Sequence, residues 1–382
     1  MPGLYFHIPF CEQKCIYCDF YSLAPSGGKA SQDDLIGGFV TALESEVRIV
    51  GAGKQYDGLF DTIFFGGGTP SLLSKDAVAS IINWTRSFFR VDPAAEITLE
   101  TNPGTVDPAK LEAFRESGIN RLSIGIQSFH EDELRFLTRI HDGRQARECV
   151  KNARSAGFDN ISIDLIFSLP GQAQERWASN LEQALELAPN HISCYSLIVE
   201  PNTPLKRLVE SKQVVPLNGE DDARMYEMTI DFLTRHGYEQ YEVSNFALPG
   251  FRSRHNANYW NHGEYLGFGP SAHSFWDARR WWNIANLSEY HHRIARGALP
   301  IAGEERLTSS QMVEEMVFLG LRGEGVKLQS VLGAIPREKR SECRAAFERL
   351  IGEGFARAEG EVVRLTSKGY PLCDEICTSL AL

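Results

Sequence analysis

The sequence predicts an α/β protein, a parallel sheet flanked by helices, followed by a smaller helical domain. Three observations carry this. Six short apolar runs fill the stretch up to Val199, and most are followed by a helical pattern. That alternation is the mark of successive βα units, which build a parallel sheet with helices outside it. After Val199 the rhythm changes, and from Leu307 the pattern is helical again. Six units are fewer than the eight of a closed TIM barrel. At 382 residues the chain exceeds one average domain, so one large and one smaller domain are expected.

Leu4–Ile8 is the first strand, and Asp33-Asp34 open a helix running to about Val50. Thr62–Phe65 is a buried strand, followed by glycines and a helix near Lys75–Phe89. Glu96–Glu100 is the third strand, and Asp107-Pro108 supplies an N-cap with proline at the first helical position. Arg121–Gln127 is the fourth, with helical sequence on either side of Asp142-Gly143. Asn160–Ile166 is the fifth, with its helix over Ala173–Leu187, and His191–Val199 is the sixth. A turn at Pro201–Pro204 leads to an amphipathic helix, Asp221–Arg235, and a strand, Tyr238–Ser244. Phe251–Trp282 is rich in glycine and aromatics. Two helical runs, Ser309–Arg322 and Glu338–Glu353, then precede a hairpin, Ala356–Leu365, turning at Gly360, and a short closing helix. The expected divisions are 1–245, a connecting segment 246–303, and a winged-helix-like domain 304–382.

Composition narrows the function. Apolar content is ordinary for a globular core. No apolar run is long enough to span a bilayer, and the N-terminus lacks the pattern of a signal peptide. The eight cysteines therefore read as cytoplasmic thiols or metal ligands. A net charge of −11 argues against a general nucleic-acid surface. The winged-helix-like stretch has 11 basic against 13 acidic residues, so it reads as structural or protein-binding.

Cys11, Cys15 and Cys18 lie on the loop leaving the first strand. So tight a loop can place three thiolates at three corners of one iron–sulfur cube, leaving the fourth iron open to a ligand. Structural zinc is the alternative: His7 could complete a Cys3His set, but the spacing fits no common zinc module. Gly66-Gly67-Gly68-Thr69-Pro70 follows the second strand; three glycines let backbone approach a ligand, though a tight turn explains them equally. Glu100, Gln127 and Asp164 end further strands. In a βα barrel such ends converge on one mouth. Each alone could be an ordinary strand-end residue; all three beside the cysteine loop favour a ligand site.

Tyr5-Phe6-His7-Ile8-Pro9-Phe10-Cys11-x3-Cys15-x2-Cys18 resembles the opening of the radical S-adenosylmethionine (SAM) superfamily. More narrowly, the chain resembles the oxygen-independent coproporphyrinogen III oxidase family, and within it the haem-chaperone branch. The resemblance runs over nearly the whole chain. It implies a partial (βα)6 barrel, a [4Fe-4S] cluster on the three cysteines, and S-adenosylmethionine on the open iron. An electron from the cluster then cleaves the sulfonium to a 5′-deoxyadenosyl radical. By resemblance, Tyr5, Gly67 and Glu100 contact this SAM. Tyr17, Gly68, Thr69, Gln127, Arg139 and Asp164 match contacts to a second SAM, and Ser196 lies at another matching position.

His255-Asn256-Ala257-Asn258-Tyr259-Trp260 mixes imidazole, aromatic and polar groups, with Arg252 and Arg254 just before it. That mixture suits haem: imidazole for iron, arginine for propionates, rings for the flat face. A packed loop joining two domains fits the composition as well, and a lone histidine is more often a satisfied core residue. The His-Asn-x-x-Tyr-Trp pattern resembles the signature of the haem-chaperone branch. It makes His255 the first axial candidate and His273 the second, with His7 or His291-His292 as substitutes. Two departures from the oxidase pattern point the same way. Phe20 stands where the oxidase has a fourth cysteine, and few residues precede Cys11. A haem chaperone is therefore expected, with the oxidase as the competing reading and a zinc-stabilised structural protein third. The implied partners are haem, a haem-accepting protein, through which the chain could associate with a membrane surface, and an electron donor. Nucleic acid is not among them, and the chain is expected as a monomer or homodimer.

Overall fold

A computed structural model describes residues 1–25, 29–380 and 382. Six parallel strands succeed one another in chain order: β1 (Gly3–Ile8), β2 (Leu59–Gly67), β3 (Arg90–Thr101), β4 (Arg121–Gln127), β5 (Ile161–Phe167) and β6 (His191–Ser196). Between them run α1 (Lys29–Ala52), α2 (Lys75–Phe88), α3 (Pro108–Glu116), α4 (Glu131–Phe136), α5 (Gly143–Ser155) and α6 (Gln174–Glu186). These are the six expected βα units, and the sheet they belong to is not closed.

Local chemistry starts and stops these helices. The Asp107 side chain accepts from the Lys110 N–H and Pro108 takes the first helical position, as the sequence indicates. Asp142 and Gln145 form a reciprocal capping box on α5. The first helix begins at Lys29, ahead of Asp33. Strand β6 stops at Ser196, short of Val199, because its partner β5 ends at Phe167 and offers nothing to pair with beyond.

After β6 come α7 (Pro204–Glu210) and α8 (Gly219–Arg235). The expected strand Tyr238–Ser244 is a hairpin instead: β7 (Glu239–Gln240) folds back on β8 (Asn245–Ala247), and β8 runs antiparallel to β6. The Glu242 carboxylate accepts from the Ser244 N–H and holds that bend. The stretch 246–303 does more than connect. It carries α9 (Arg254–Trp260), then β9 (Tyr265–Phe268), β10 (His273–Trp276), β11 (Arg279–Asn283), α10 (Leu287–Ala295) and β12 (Ile301–Arg306). Strand β9 pairs parallel to β1, and the others extend that side of the sheet to twelve strands in all. Phe6 explains the join: its ring stacks between Phe65 of β2 and Phe268 of β9, with centroids 5.3 and 5.2 Å away.

The C-terminal part contains α11 (Ser309–Arg322), β13 (Val326–Lys327), α12 (Leu328–Ala334), α13 (Arg340–Gly352), β14 (Ala356–Glu359), β15 (Val362–Leu365) and α14 (Cys373–Ser379). The hairpin turns at Gly360, whose φ of +62° suits a residue without Cβ. Its third strand, β13, is two residues long and gives no pattern in the sequence. Helix α11 packs on α9 and joins this small helical domain to the barrel. Among the described residues no helix is long and apolar enough to cross a membrane.

Candidate cluster and SAM site

The cysteine loop leaves β1 and is held on several sides. Cys11 N–H bonds to Leu23 O (3.0 Å) and Leu23 N–H to Pro9 O (2.8 Å), closing the loop on itself. Ile16 N–H donates to Thr138 Oγ1 (3.2 Å), and Leu205 N–H donates to Ile16 O (2.9 Å). The glycine turn grips from below: Gly68 N–H bonds to Ile8 O (2.9 Å) and Thr69 N–H to Phe10 O (2.6 Å). Thr69 Oγ1 also lies 3.5 Å from Cys11 Sγ. Gly67 has φ of +106°, and a Cβ there would sit 2.6 Å from the His7 ring. Gly67 is therefore required by the close approach of β2 to β1.

The other two thiols are half-buried. Arg139 Nη1 is 3.5 Å from Cys15 Sγ, while Nη2 donates to Asn102 Oδ1 (2.9 Å) and Gly125 O (2.7 Å). Burial, with the neighbouring Cys15 and Cys11, pushes the Cys18 thiol up to about 11. A cation there relieves this by taking the thiolate. Among the described residues no three His, Cys, Asp or Glu side chains converge on a single ion. His7 is committed elsewhere, its Nε2 2.8 Å from Tyr21 O and its Nδ1 3.2 Å from the Tyr5 hydroxyl.

Beside the loop opens a cleft of about 290 Å3. Five expected residues line it: Tyr5, Gly67, Glu100, Asp164 and His255. Gly67 N–H points at Glu100 Oε2 (3.3 Å). Burial, and then the Asp164 charge, raise Glu100 to about 8. Asp164 is also raised, chiefly by burial, although the Ser193, Ser123 and Ser162 hydroxyls and the Arg121 charge act to hold it down. Two carboxyls crowded and desolvated in this way favour a cationic ligand, which lets both ionise.

Asp164 lies in the middle of β5, beside Gly125, and so sits deeper than the strand end the sequence suggests. Gln127 and Arg139 do not line this cleft. Gln127 holds a left-handed φ of +68°, and its buried Oε1 has no partner; the buried Arg139 Nε has none either. Buried polar atoms without partners are uncommon and fit a place where a polar ligand belongs. Tyr17 packs near them against Leu137, Ile166 and Leu169. Ser196 stands apart, donating to Asp222 Oδ1 (2.6 Å) at a separate, smaller cleft.

The histidine motif forms the floor of the first cleft. Ser253 caps α9, and the Arg254 and His255 N–H groups donate to the buried Glu96 carboxylate at 3.1 and 3.2 Å. His255 is 1 % exposed. Its Nδ1 lies 2.8 Å from Thr62 Oγ1 and its Nε2 2.9 Å from the Tyr259 hydroxyl. Its ring stacks on Phe64 at 4.9 Å. Burial lowers its pKa to about 3, so it is neutral. Both ring nitrogens of His255, the first axial candidate, are therefore engaged by protein hydroxyls in this fold. His273 is exposed and stacks on Trp282.

Sequence reasoning passed over Arg121, Ser123, Ser193 and Tyr195, which line the cleft together with Asn256 and Tyr259 of the histidine motif and Phe20. The signal for Arg121 was present: it heads an apolar strand on the same face as Ser123, two residues on. It is a buried cation, 1 % exposed, beside Glu100 and Asp164. Phe20 and Tyr195 are 62 % and 41 % exposed and border the opening.

Comparison with known proteins shows the family of the chain. The model of the radical SAM superfamily matches residues 5–184. Proteins called heme chaperone HemW match along most of the chain. That of Bacillus subtilis (strain 168) is 34 % identical over 98 % of both chains. That of Mycobacterium tuberculosis (strain CDC 1551 / Oshkosh) is 33 % identical over 99 % of this chain and 94 % of its own. That of Escherichia coli (strain K12) is 42 % identical over 71 % of this chain and 69 % of its own. Among solved structures, the coproporphyrinogen III oxidase HemN of Escherichia coli superposes with a TM-score of 0.83, covering 99 % of this chain and 89 % of that one at 24 % identity. That likeness supports the fold. The chain belongs to the radical SAM superfamily and, within it, to the family of the HemW proteins.

Proposed function

We propose that this protein is a haem chaperone, binding a [4Fe-4S] cluster, SAM and haem and passing haem to a target haemoprotein. The observation that carries the reading is the clamped three-cysteine loop beside a cleft with two crowded carboxyls, in a chain of the HemW family. Cys11, Cys15 and Cys18 hold the cluster, and Glu100, Gly67 and Tyr5 receive the methionine end of SAM. When bound, the pair supplies reductive cleavage of a sulfonium. The chain's own groups do the rest. Gly67 N–H and Glu100 orient an ammonium, Asp164 with its serine donors offers a polar wall, and Phe64, Tyr5 and Tyr259 keep water from the floor. Gln127 and Arg139 are the groups left over for a second SAM.

The haem branch is favoured over oxidative decarboxylation of coproporphyrinogen by the curated relatives' name and by Phe20. Haem binding then uses either His273, or His255 after α9 has moved and released its Thr62 and Tyr259 partners. A cytoplasmic setting, an external electron donor and a haem-accepting protein complete the proposal. The test is anaerobic cluster reconstitution followed by parallel assays. A shifted Soret band on haem addition, with no decarboxylation beyond a single turnover, is expected. Sustained decarboxylation with reductant, SAM and substrate overturns the chaperone reading in favour of the oxidase.

A further inference from the structure

Helix α14 carries two cysteines outside the cluster loop, Cys373 and Cys377, one turn apart. Their sulfurs lie 3.9 Å from each other. Cys373 is buried and Cys377 half-buried, so Cys377 is the one a reagent meets. Arg322, from the last turn of α11, reaches over the pair. Its guanidinium lies 3.4 Å from the centroid of the Phe318 ring and pairs with Asp374, and its side chain is only 12 % exposed. A largely buried cation beside the pair favours the thiolate of Cys377. The two thiols share a hydrogen bond, Sγ to Sγ 3.9 Å, in which either can donate. The hydrogen bond with Cys373, and then the Arg322 charge, hold the Cys377 thiol below its ordinary range against the effect of burial. In Cys149, Cys194 and Cys343 burial works unopposed or nearly so and pushes the thiol up.

We propose that Cys377 and Cys373 form a reversible thiol-modification site for low-molecular-weight disulfides, with Cys377 as the attacking and Cys373 as the resolving group. In the first step the Cys377 thiolate attacks one sulfur of oxidised glutathione. A protein–glutathione mixed disulfide forms and one glutathione thiolate leaves. Cys373 then gives its proton to solvent and its sulfur attacks Cys377 Sγ, expelling the second glutathione. The two protein thiols are oxidised to one disulfide, and the one small disulfide is reduced to two thiols. Helical Cβ atoms four residues apart lie about 5–6 Å from each other, against about 3.8 Å in a disulfide. Closing the bond therefore unwinds the end of α14, a seven-residue helix near the chain terminus. A bond closed against that resistance is readily reduced again.

Tryptic cleavage after Lys368 releases a peptide from Gly369 onward that contains both cysteines and no others. The full-length, cluster-loaded protein is incubated anaerobically with oxidised glutathione, free thiols are trapped with an alkylating agent, and the peptide is weighed. Wild type is expected to lose two hydrogens and to regain alkylation after mild reduction. Cys373→Ser should stop at a stable glutathione adduct on Cys377. Cys377→Ser should react no faster than the buried Cys343, and Arg322→Gln should react several-fold more slowly than wild type. Unchanged cluster absorption and circular dichroism show that each variant is folded, and if Arg322→Gln is not, the two serine variants decide. A wild-type peptide that stays fully alkylated, or a Cys377→Ser peptide that gains glutathione as fast as wild type, overturns the proposal.

Discussion

Replacing Gly68 by alanine should cost the protein its cluster, and the reason lies in backbone rather than side chains. A Cβ on Gly68 would sit 2.6 Å from Phe10 O, 2.8 Å from Ile8 O and 2.9 Å from Phe10 N. These atoms belong to the segment that delivers Cys11, and they cannot rotate out of the way. The same segment is tied to the turn by Gly68 N–H to Ile8 O and Thr69 N–H to Phe10 O. Overpacking costs about 1–3 kcal/mol, and weakening two backbone hydrogen bonds adds about 2 kcal/mol. The total, about 4 kcal/mol, corresponds to a fall of about 5 °C in Tm at the usual unfolding entropy per residue. At Gly66 the added Cβ meets only the ends of Phe64, Tyr5 and Glu100, at 2.9 to 3.2 Å, and these can shift. Gly67 is intermediate in contacts but adds the strain of a left-handed φ. Iron and sulfide bound per chain after anaerobic reconstitution, with Tm of the cluster-free protein, should therefore fall least for Gly66→Ala and most for Gly68→Ala. Full loading and unchanged Tm in Gly68→Ala, or a larger loss of cluster in Gly66→Ala, would refute the reasoning.

Alanine at Cys11, Cys15 or Cys18 should each abolish cluster absorption and spin-resonance signals, whereas alanine at Cys149, Cys194, Cys343, Cys373 or Cys377 should spare them; full loading in all three loop variants would end the assignment. Glu46 of α1 accepts from Gly269 N–H (2.8 Å), Asn283 Nδ2 (2.6 Å) and Tyr290 Oη (2.7 Å) in the core, and burial raises it to about 7. Its folded pKa lies above the unfolded one, so the folded state holds the extra proton between about pH 4.5 and 7. Stability should fall by roughly 3 kcal/mol as pH rises through that window, and denaturation curves at several pH values should show a flatter fall in Glu46→Gln; an equal slope would disprove the linkage. His255→Ala removes two buried hydrogen bonds and a ring stacked on Phe64 and should cost about 3 kcal/mol. A changed Soret band in that variant with an undisturbed Tm would show that His255 is a ligand and carries little of the core.

Much of the molecule was legible along the chain because it depends on near neighbours. The three cysteines fall within eight residues, and each βα unit shows its own apolar run and caps, so the six parallel strands and the cluster loop could be read directly. The strand-end residues Glu100 and Gly67 were legible for the same reason: alternation assigns the face and the strand end assigns the rim. What the tertiary structure alone decided rests on contacts between distant residues. That 246–303 completes the sheet depends on Phe268 meeting Phe6 across more than half the chain. That Arg121 faces Glu100 and Asp164 depends on three strands lying in register. His255 is the clearest case. Its motif fits a haem-binding group or a packed core residue equally, and only the fold shows that Thr62, 193 positions earlier, and Tyr259 meet both nitrogens with the ring under the cleft. Sequence shows which groups a segment carries, but whether a lone pair is left free depends on what folds against it.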